Sequence, residues 1–165
     1  MKMLPIIGIV VGCILLLIIG IFVYGTFLPK DQNLTVSREI NATPETVWSV
    51  LTNWEEQPNW RDDIKEVKVL SDKQFMEIPT KGPAVTFTII ESIKPSMLKL
   101  KLEGSFTGKY EIKLSEMDGD KTFVEESYQM TYESPFSRVI VKTFFDLEDF
   151  ANEYLSKLAI QAESL

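Results

Sequence analysis

Hydrophobic and polar positions follow three different rhythms along this chain. Residues 6–24 have no rhythm at all: nineteen residues carry no charge, and fourteen of them are Ile, Leu, Val or Phe. As a helix this run is about 28 Å long, close to a hydrocarbon core of roughly 30 Å. At roughly −0.4 kcal/mol for each large apolar side chain, its insertion into a bilayer is favourable by about 6 kcal/mol. The run therefore predicts one membrane-spanning helix through residues 6–24, in an anchor of residues 1–25. A cleaved signal peptide is the rival reading, but its apolar region is shorter and ends in small residues, whereas Val23, Tyr24, Gly25, Thr26 and Phe27 offer a poor cleavage site.

The second rhythm has period two. Leu34, Val36 and Ile40 alternate with Thr35, Ser37 and Glu39, and Arg38 falls on the apolar side. Thr43 before Pro44 marks a helix start whose buried face is Val47, Val50 and Leu51. A second short helical or looped piece carries Trp54, Pro58 and Trp60. Strands are then expected at residues 64–70, 74–78, 84–92, 97–102, 108–115 and 121–132, each bounded by turn residues such as Gly82, Pro95 and Gly119. The clearest alternation is Leu98, Leu100 and Leu102 against Lys99, Lys101 and Glu103. Short strands joined by tight turns imply an antiparallel meander.

The third rhythm is helical. From 134 to 162 apolar residues recur at Phe136, Ile140, Phe144, Leu147, Ala151, Tyr154, Leu158 and Ala162, with no Gly or Pro after Pro135. This predicts one long helix, capped by Ser134, whose stripe lies on the sheet. The fold class is α+β: a curved antiparallel sheet of about seven strands around a long C-terminal helix, in a domain of residues 34–165 joined to the anchor by a linker of residues 26–33.

Charge and composition narrow the functions. Residues 31–165 hold 15 basic and 24 acidic side chains, a net charge of −9. No basic face is available to displace phosphate counterions, so nucleic acid is not an expected partner. The same charge repels an anionic membrane surface. The chain has no His, and its one Cys lies in the apolar run. Histidine-dependent triads, thiol nucleophiles and Cys/His metal sites are thereby excluded, and no catalytic residue, metal or cofactor is assigned. No nucleotide or calcium motif is present. Basic residues flank the apolar run almost evenly, Lys2 with the amino terminus on one side and Lys30 with Arg38 on the other. The reading adopted is a single-pass membrane protein with the short tail cytoplasmic and the domain outside the cytoplasm.

The stretch VSREINATPETVWSVLTNWEEQPNWRDDIKEVKVL resembles the opening of the START-like (SRPBCC) superfamily, the group that includes proteins labelled polyketide cyclase/dehydrase. The resemblance continues in Pro95 before the strand at Leu98, in Asp118 and Gly119 with Thr122 after them, and in ESPFSRVI leading into the final helix. It covers residues 34–162 and implies the helix-grip fold, with a hollow between sheet and helix that takes a lipid or other hydrophobic small molecule. The residues expected to line it are Trp60, Phe87, Leu100, Tyr110, Ile112, Glu126, Tyr128, Met130, Phe144 and Leu147. Val67, Val69, Ile89 and Leu98 share the inward parity. Solid packing with no hollow is the alternative.

Glu126 is the one charged group on the inward face of its strand, beside Val124 and Tyr128. A buried carboxylate needs a partner or stays protonated. Three readings stay open: a structural pair with Arg38, since the fold implied places the first strand beside the last; a twist or bulge that turns Glu126 outward; and a polar handle for a ligand head group. The functional expectation is a membrane-tethered, non-catalytic binding module for a hydrophobic small molecule. The alternatives are a protein-interaction module like the Hsp90-activator branch of the superfamily, and a cyclase- or dehydratase-like enzyme using Glu126 or Tyr128 as acid or base.

Overall fold

The structure is a computed structural model that describes the backbone of residues 3–165 and the side chains of residues 8–165. Lys2, which enters the orientation count, lies outside the described residues. The elements run in the order α1 (Met3–Phe27), β1 (Asp31–Ile40), α2 (Pro44–Thr52), a 3-10 turn (Trp54–Glu56), α3 (Gln57–Trp60), β2 (Ile64–Ser71), β3 (Gln74–Pro79), β4 (Val85–Ile93), β5 (Met97–Glu103), β6 (Thr107–Met117), β7 (Lys121–Thr131), α4 (Pro135–Phe144) and α5 (Leu147–Glu163). They form two compact units: the residues up to Lys30 with Tyr132–Phe145, and Asp31–Thr131 with Asp146–Leu165.

In the larger unit, seven antiparallel strands form one sheet in the order β1-β7-β6-β5-β4-β3-β2. The expected alternation sets its inner face. Leu98, Leu100 and Leu102 of β5, Tyr110, Ile112 and Leu114 of β6, and Val124, Tyr128 and Met130 of β7 are all buried. At Gly108 a Cβ would meet the Met130 sulfur at 2.5 Å, so the missing side chain is what lets Met130 lie flat against β6. Helix α2 begins as expected, with Thr43 accepting from the Thr46 N–H at 3.3 Å. Its Val47, Trp48, Val50 and Leu51 are buried together with Leu147, Ala151, Leu155, Leu158, Ala159 and Ala162 of α5. Helix α5 packs on β1 and α2, α2 also touches β6 and β7, and α3 and the 3-10 turn lie against β2.

Four expectations change. Strand β1 begins at Asp31, inside the stretch read as linker. The C-terminal helix is two helices, because Phe145 and Asp146 are extended, with ψ of 119° and 112°. Asp146 caps the second, its Oδ1 accepting from the Glu148 and Asp149 N–H groups at 2.9 and 3.1 Å. A short carboxylate that bonds backbone N–H groups two and three residues on offers the chain an alternative to continuing the helix. Ser134 makes no side-chain cap to α4. Val69 is exposed although it keeps the register of the buried Val67: it lies towards the far end of β2, the edge strand of the sheet, and on β2 only Ile64 and Val67 are buried.

The smaller unit joins α1 to α4. Residues Gly8–Phe27 are long and apolar enough to cross a membrane. Near its end, a Cβ at Gly25 would sit 2.2 Å from the Pro135 carbonyl oxygen, so the two backbones meet directly there. The Phe22 and Phe136 rings are 5.7 Å apart. Arg138 is buried and satisfied by main-chain oxygens alone: its Nε and Nη2 donate to the Tyr132 and Glu133 carbonyls at 2.8 Å, and Nη1 to that of Gly25 at 3.4 Å.

Removing the cap at the break tests its role. Asp146→Ala is expected to cost about 1 kcal/mol of stability in urea denaturation. A variant as stable as the parent would show that the break is set by something other than this carboxylate.

Candidate functional site

The inner face of the sheet is largely apolar, and the buried carboxyl at its middle is Glu126. Pairing aligns Ile89, Leu100, Tyr110, Tyr128 and Leu34 as one row across five strands, and Leu98, Ile112, Glu126 and Val36 as the next. Glu126 therefore sits in mid-sheet with 0% of its surface exposed. Its Oε1 accepts from the Tyr110 hydroxyl at 2.6 Å and its Oε2 from the Tyr128 hydroxyl at 3.0 Å. The two phenol rings lean on each other with centroids 5.0 Å apart. Burial pushes the Glu126 carboxyl up to about 7, against the pull of these two hydrogen bonds and of Arg61. The same burial, with the carboxylate beside them, raises both tyrosines well above their usual value.

A second buried polar group stands close by. Arg61, the residue after α3, donates from Nη1 to Gln57 Oε1 at 2.8 Å and to Glu77 Oε1 at 3.0 Å, and from Nη2 to Asp63 Oδ2 at 2.8 Å. Its guanidinium carbon lies 5.0 Å from the centroid of the Tyr154 ring on α5. Gln57 is itself buried and donates to the Leu51 carbonyl, closing the end of α2. Burial works against the guanidinium charge, but Glu77 and Asp63 outweigh it and hold Arg61 charged. Burial raises the Glu77 carboxyl, and Arg61 pulls it back. Tyr154 is raised by burial and by Glu126, with Arg61 and a hydrogen bond to Tyr110 acting the other way. Tyr154 thus connects the two groups, and Trp60 packs against it at 5.9 Å.

The sites expected from sequence fall out unevenly. Leu100, Tyr110, Ile112, Glu126, Tyr128 and Met130 are buried on the inner face, and Leu147 is buried on α5. Trp60 and Phe87 are half-buried. Phe87 stacks on Phe75 at 4.9 Å with the rings parallel to within 1°, and Phe75 stacks in turn on Trp54 at 4.1 Å. Phe144, expected to line the hollow, is 82% exposed and ends α4, a helix separate from α5. The Arg38–Glu126 pair is not formed: Val36 stands opposite Glu126, and Arg38, opposite Val124, is exposed and donates to Ser156 Oγ at 2.8 Å.

Sequence reasoning missed Arg61, Glu77, Gln57 and Gln32. The signal for Glu77 was present, because it shares the parity of the buried Phe75 on β3. Asp63 is drawn in by Arg61, whereas its neighbour Asp62 pairs with Lys157. Gln32 lies on the inner face of β1 opposite Met130, and its buried Oε1 has no hydrogen-bond partner among the described residues. Among them there is also no cluster of three or more potential metal-ligating side chains.

A long antiparallel sheet closed by a C-terminal helix defines the helix-grip class. The chain belongs to the polyketide cyclase/dehydrase and lipid transport family, whose model matches residues 31–162. Solved structures agree on the fold. A START superfamily protein from Mycobacterium smegmatis matches with a TM-score of 0.63 at 17% identity, over 80% of this chain and 94% of that one. The ZhuI aromatase/cyclase from Streptomyces sp. R1128 matches with a TM-score of 0.67 at 13% identity, over 81% and 94%. Norcoclaurine synthase from Thalictrum flavum, a point mutant in complex with a transition-state analogue, matches with a TM-score of 0.60 at 12% identity, over 80% and 94%. No curated protein matches the sequence.

Two predictions follow from the buried groups. Because the Glu126 carboxyl titrates at about 7 when folded and near 4.5 otherwise, the folded state holds the extra proton between those values. Stability from this group is therefore fully present below about 4.5 and is lost as pH rises to about 7. Glu126→Gln is expected to flatten the fall in melting temperature between pH 5 and pH 8, leaving the part that Glu77, also raised by burial, contributes. An unchanged pH profile would mean that Glu126 is not the group titrating. Separately, Arg61→Met strands Glu77 without its cation and is expected to cost about 3 kcal/mol in urea denaturation, more than Arg61→Met combined with Glu77→Leu. If the double variant were the less stable of the two, Glu77 would not be stranded by the loss of its cation.

Proposed function

We propose that this protein is a membrane-tethered binding module for a hydrophobic small molecule or lipid that carries one hydrogen-bonding group. The observation that carries this reading is a single protonatable carboxyl, Glu126, set among otherwise apolar inner-face rows with two phenol hydroxyls aimed at it. A few fixed polar groups in an apolar surround select a ligand by one polar end while the rest is bound by area alone. Two further features support it. Strand β4 offers half-buried Val85, Phe87 and Ile89 on the same face, none of them fully covered. The orphan Gln32 Oε1 is a buried acceptor in need of a donor. The family description includes lipid transport. The tether in this reading is α1, and the domain lies outside the cytoplasm.

A second reading rests on one specific observation. A carboxyl that titrates at about 7 is matched to proton transfer at neutral pH, so Glu126 with Tyr128 suits acid–base work of the cyclase or dehydratase kind on a bound substrate. Turnover that survived both Glu126→Gln and Tyr128→Phe would remove this reading.

The binding reading is tested on full-length protein extracted into lipid nanodiscs without a delipidating step. Native mass spectrometry is expected to show an added apolar mass, and the neutral dye Nile red to bind in competition with the extracted material. Ile89→Trp, which fills space at β4, is expected to weaken dye binding several-fold with little change in melting temperature. Protein that carries no added mass and binds no dye would overturn the proposal.

A further inference from the structure

Helix α4 carries a row of apolar side chains turned outward. Phe136, Ile140 and Phe144 follow one another at steps of four, which places them along one face. They are 40%, 57% and 82% exposed. Single exposed apolar residues are ordinary on protein surfaces, but a contiguous helical row is the mark of a covered surface. The other side of α4 is already engaged, with Arg138 buried and bonded to three main-chain carbonyls.

The position of the row says what covers it. It starts at Phe136, whose ring meets Phe22 of α1, and Pro135 touches α1 at Gly25. Phe22 and Gly25 belong to the last turns of the apolar helix Gly8–Phe27, and the first charged side chain after that helix is Lys30. If α1 crosses a bilayer, its last turns lie where hydrocarbon gives way to headgroups. The row therefore starts beside the anchor at that level and is about 12 Å long from Phe136 to Phe144. It is continuous with a surface that already requires lipid. Exposed Lys142 suits the same place, since a lysine keeps its ammonium among headgroups while its stem lies on apolar surface.

We propose that α4 is an interfacial helix, with Phe136, Ile140 and Phe144 seated in the outer part of the bilayer beside the end of α1. This rests on the reading of α1 as a membrane tether and extends it from one point of attachment to two. Residues Phe145 and Asp146 then connect a helix lying on lipid directly to α5, the helix that closes the sheet. An amphipathic helix of this kind binds by its buried apolar area and senses lipid packing.

The test uses the full chain with Cys13→Ser, reconstituted in phosphatidylcholine–phosphatidylglycerol vesicles. Single cysteines are placed at Ile140, Phe144, Leu16 and Lys109 and labelled with a nitroxide. Its relaxation is measured with oxygen, which concentrates in lipid, and with a water-soluble nickel chelate. The expected result is an oxygen-to-nickel accessibility ratio several-fold higher at Ile140 and Phe144 than at Lys109, on the outer face of the sheet, and highest at Leu16. Ratios at Ile140 and Phe144 equal to that at Lys109, with Leu16 still in lipid, would overturn the proposal and leave the tether standing. Labels at Ile140 and Phe144 shielded from both reagents would overturn it in favour of a protein cover. A water-accessible Leu16 would remove the tether and this inference with it.

Discussion

The Arg61 guanidinium is the constraint on which the arrangement of the larger unit depends. It is buried between α3, the end of β3 and α5, and in that place it meets Gln57, Glu77 and Asp63 as acceptors and the Tyr154 ring as a surface. A charge so placed tolerates no alternative packing, because every displacement leaves either the cation or Glu77 without its partner in a medium that solvates neither. Gln57 extends the constraint back to α2 through the Leu51 carbonyl. One side chain from a short connecting segment thus fixes α2, α3, β3 and α5 relative to one another, while area alone positions most of the remaining core.

Against that fixed corner, Glu126 is deliberately under-compensated. Both carboxyls are buried, but Glu77 has a cation within 3.0 Å and Glu126 has two neutral phenols. Arg61 reaches Glu126 only through the field, which lowers its titration point without restoring it to the usual range. The result is a concave face with one carboxyl free to change its charge near neutrality beside a guanidinium that stays charged. Whatever the charge on Glu126, Arg61 keeps Glu77 and Asp63 as its own carboxylate partners.

Much of the frame was legible because a strand buried on one face writes its own parity. The triplet Leu98, Leu100 and Leu102 and the run Val124, Glu126, Tyr128 and Met130 left little choice of inner face, and tight turns between short strands left little choice of topology. Partners were harder to read. Arg38 does lie on the inner parity, but which residue faces Glu126 depends on the register of β1 against β7, and that register sets Val36 there. The break at Phe145 was hidden because apolar steps of three and four pass straight through it with no Gly or Pro. The sequence of Asp146, Glu148 and Asp149 was the trace of a new helix start. Arg61 sat in a segment with no periodicity to interpret, between Trp60 and two aspartates that resemble ordinary surface.

Arg138 shows a different economy. Its guanidinium is held by the carbonyls of Tyr132, Glu133 and Gly25, atoms that every amino acid supplies. Drift among related sequences should accordingly be lopsided: position 138 keeps arginine, position 133 varies freely, and position 25 stays glycine for a steric reason unconnected with charge. A lysine there, with one nitrogen in place of three, reaches too few of these oxygens to substitute, so even the most conservative replacement would be selected against.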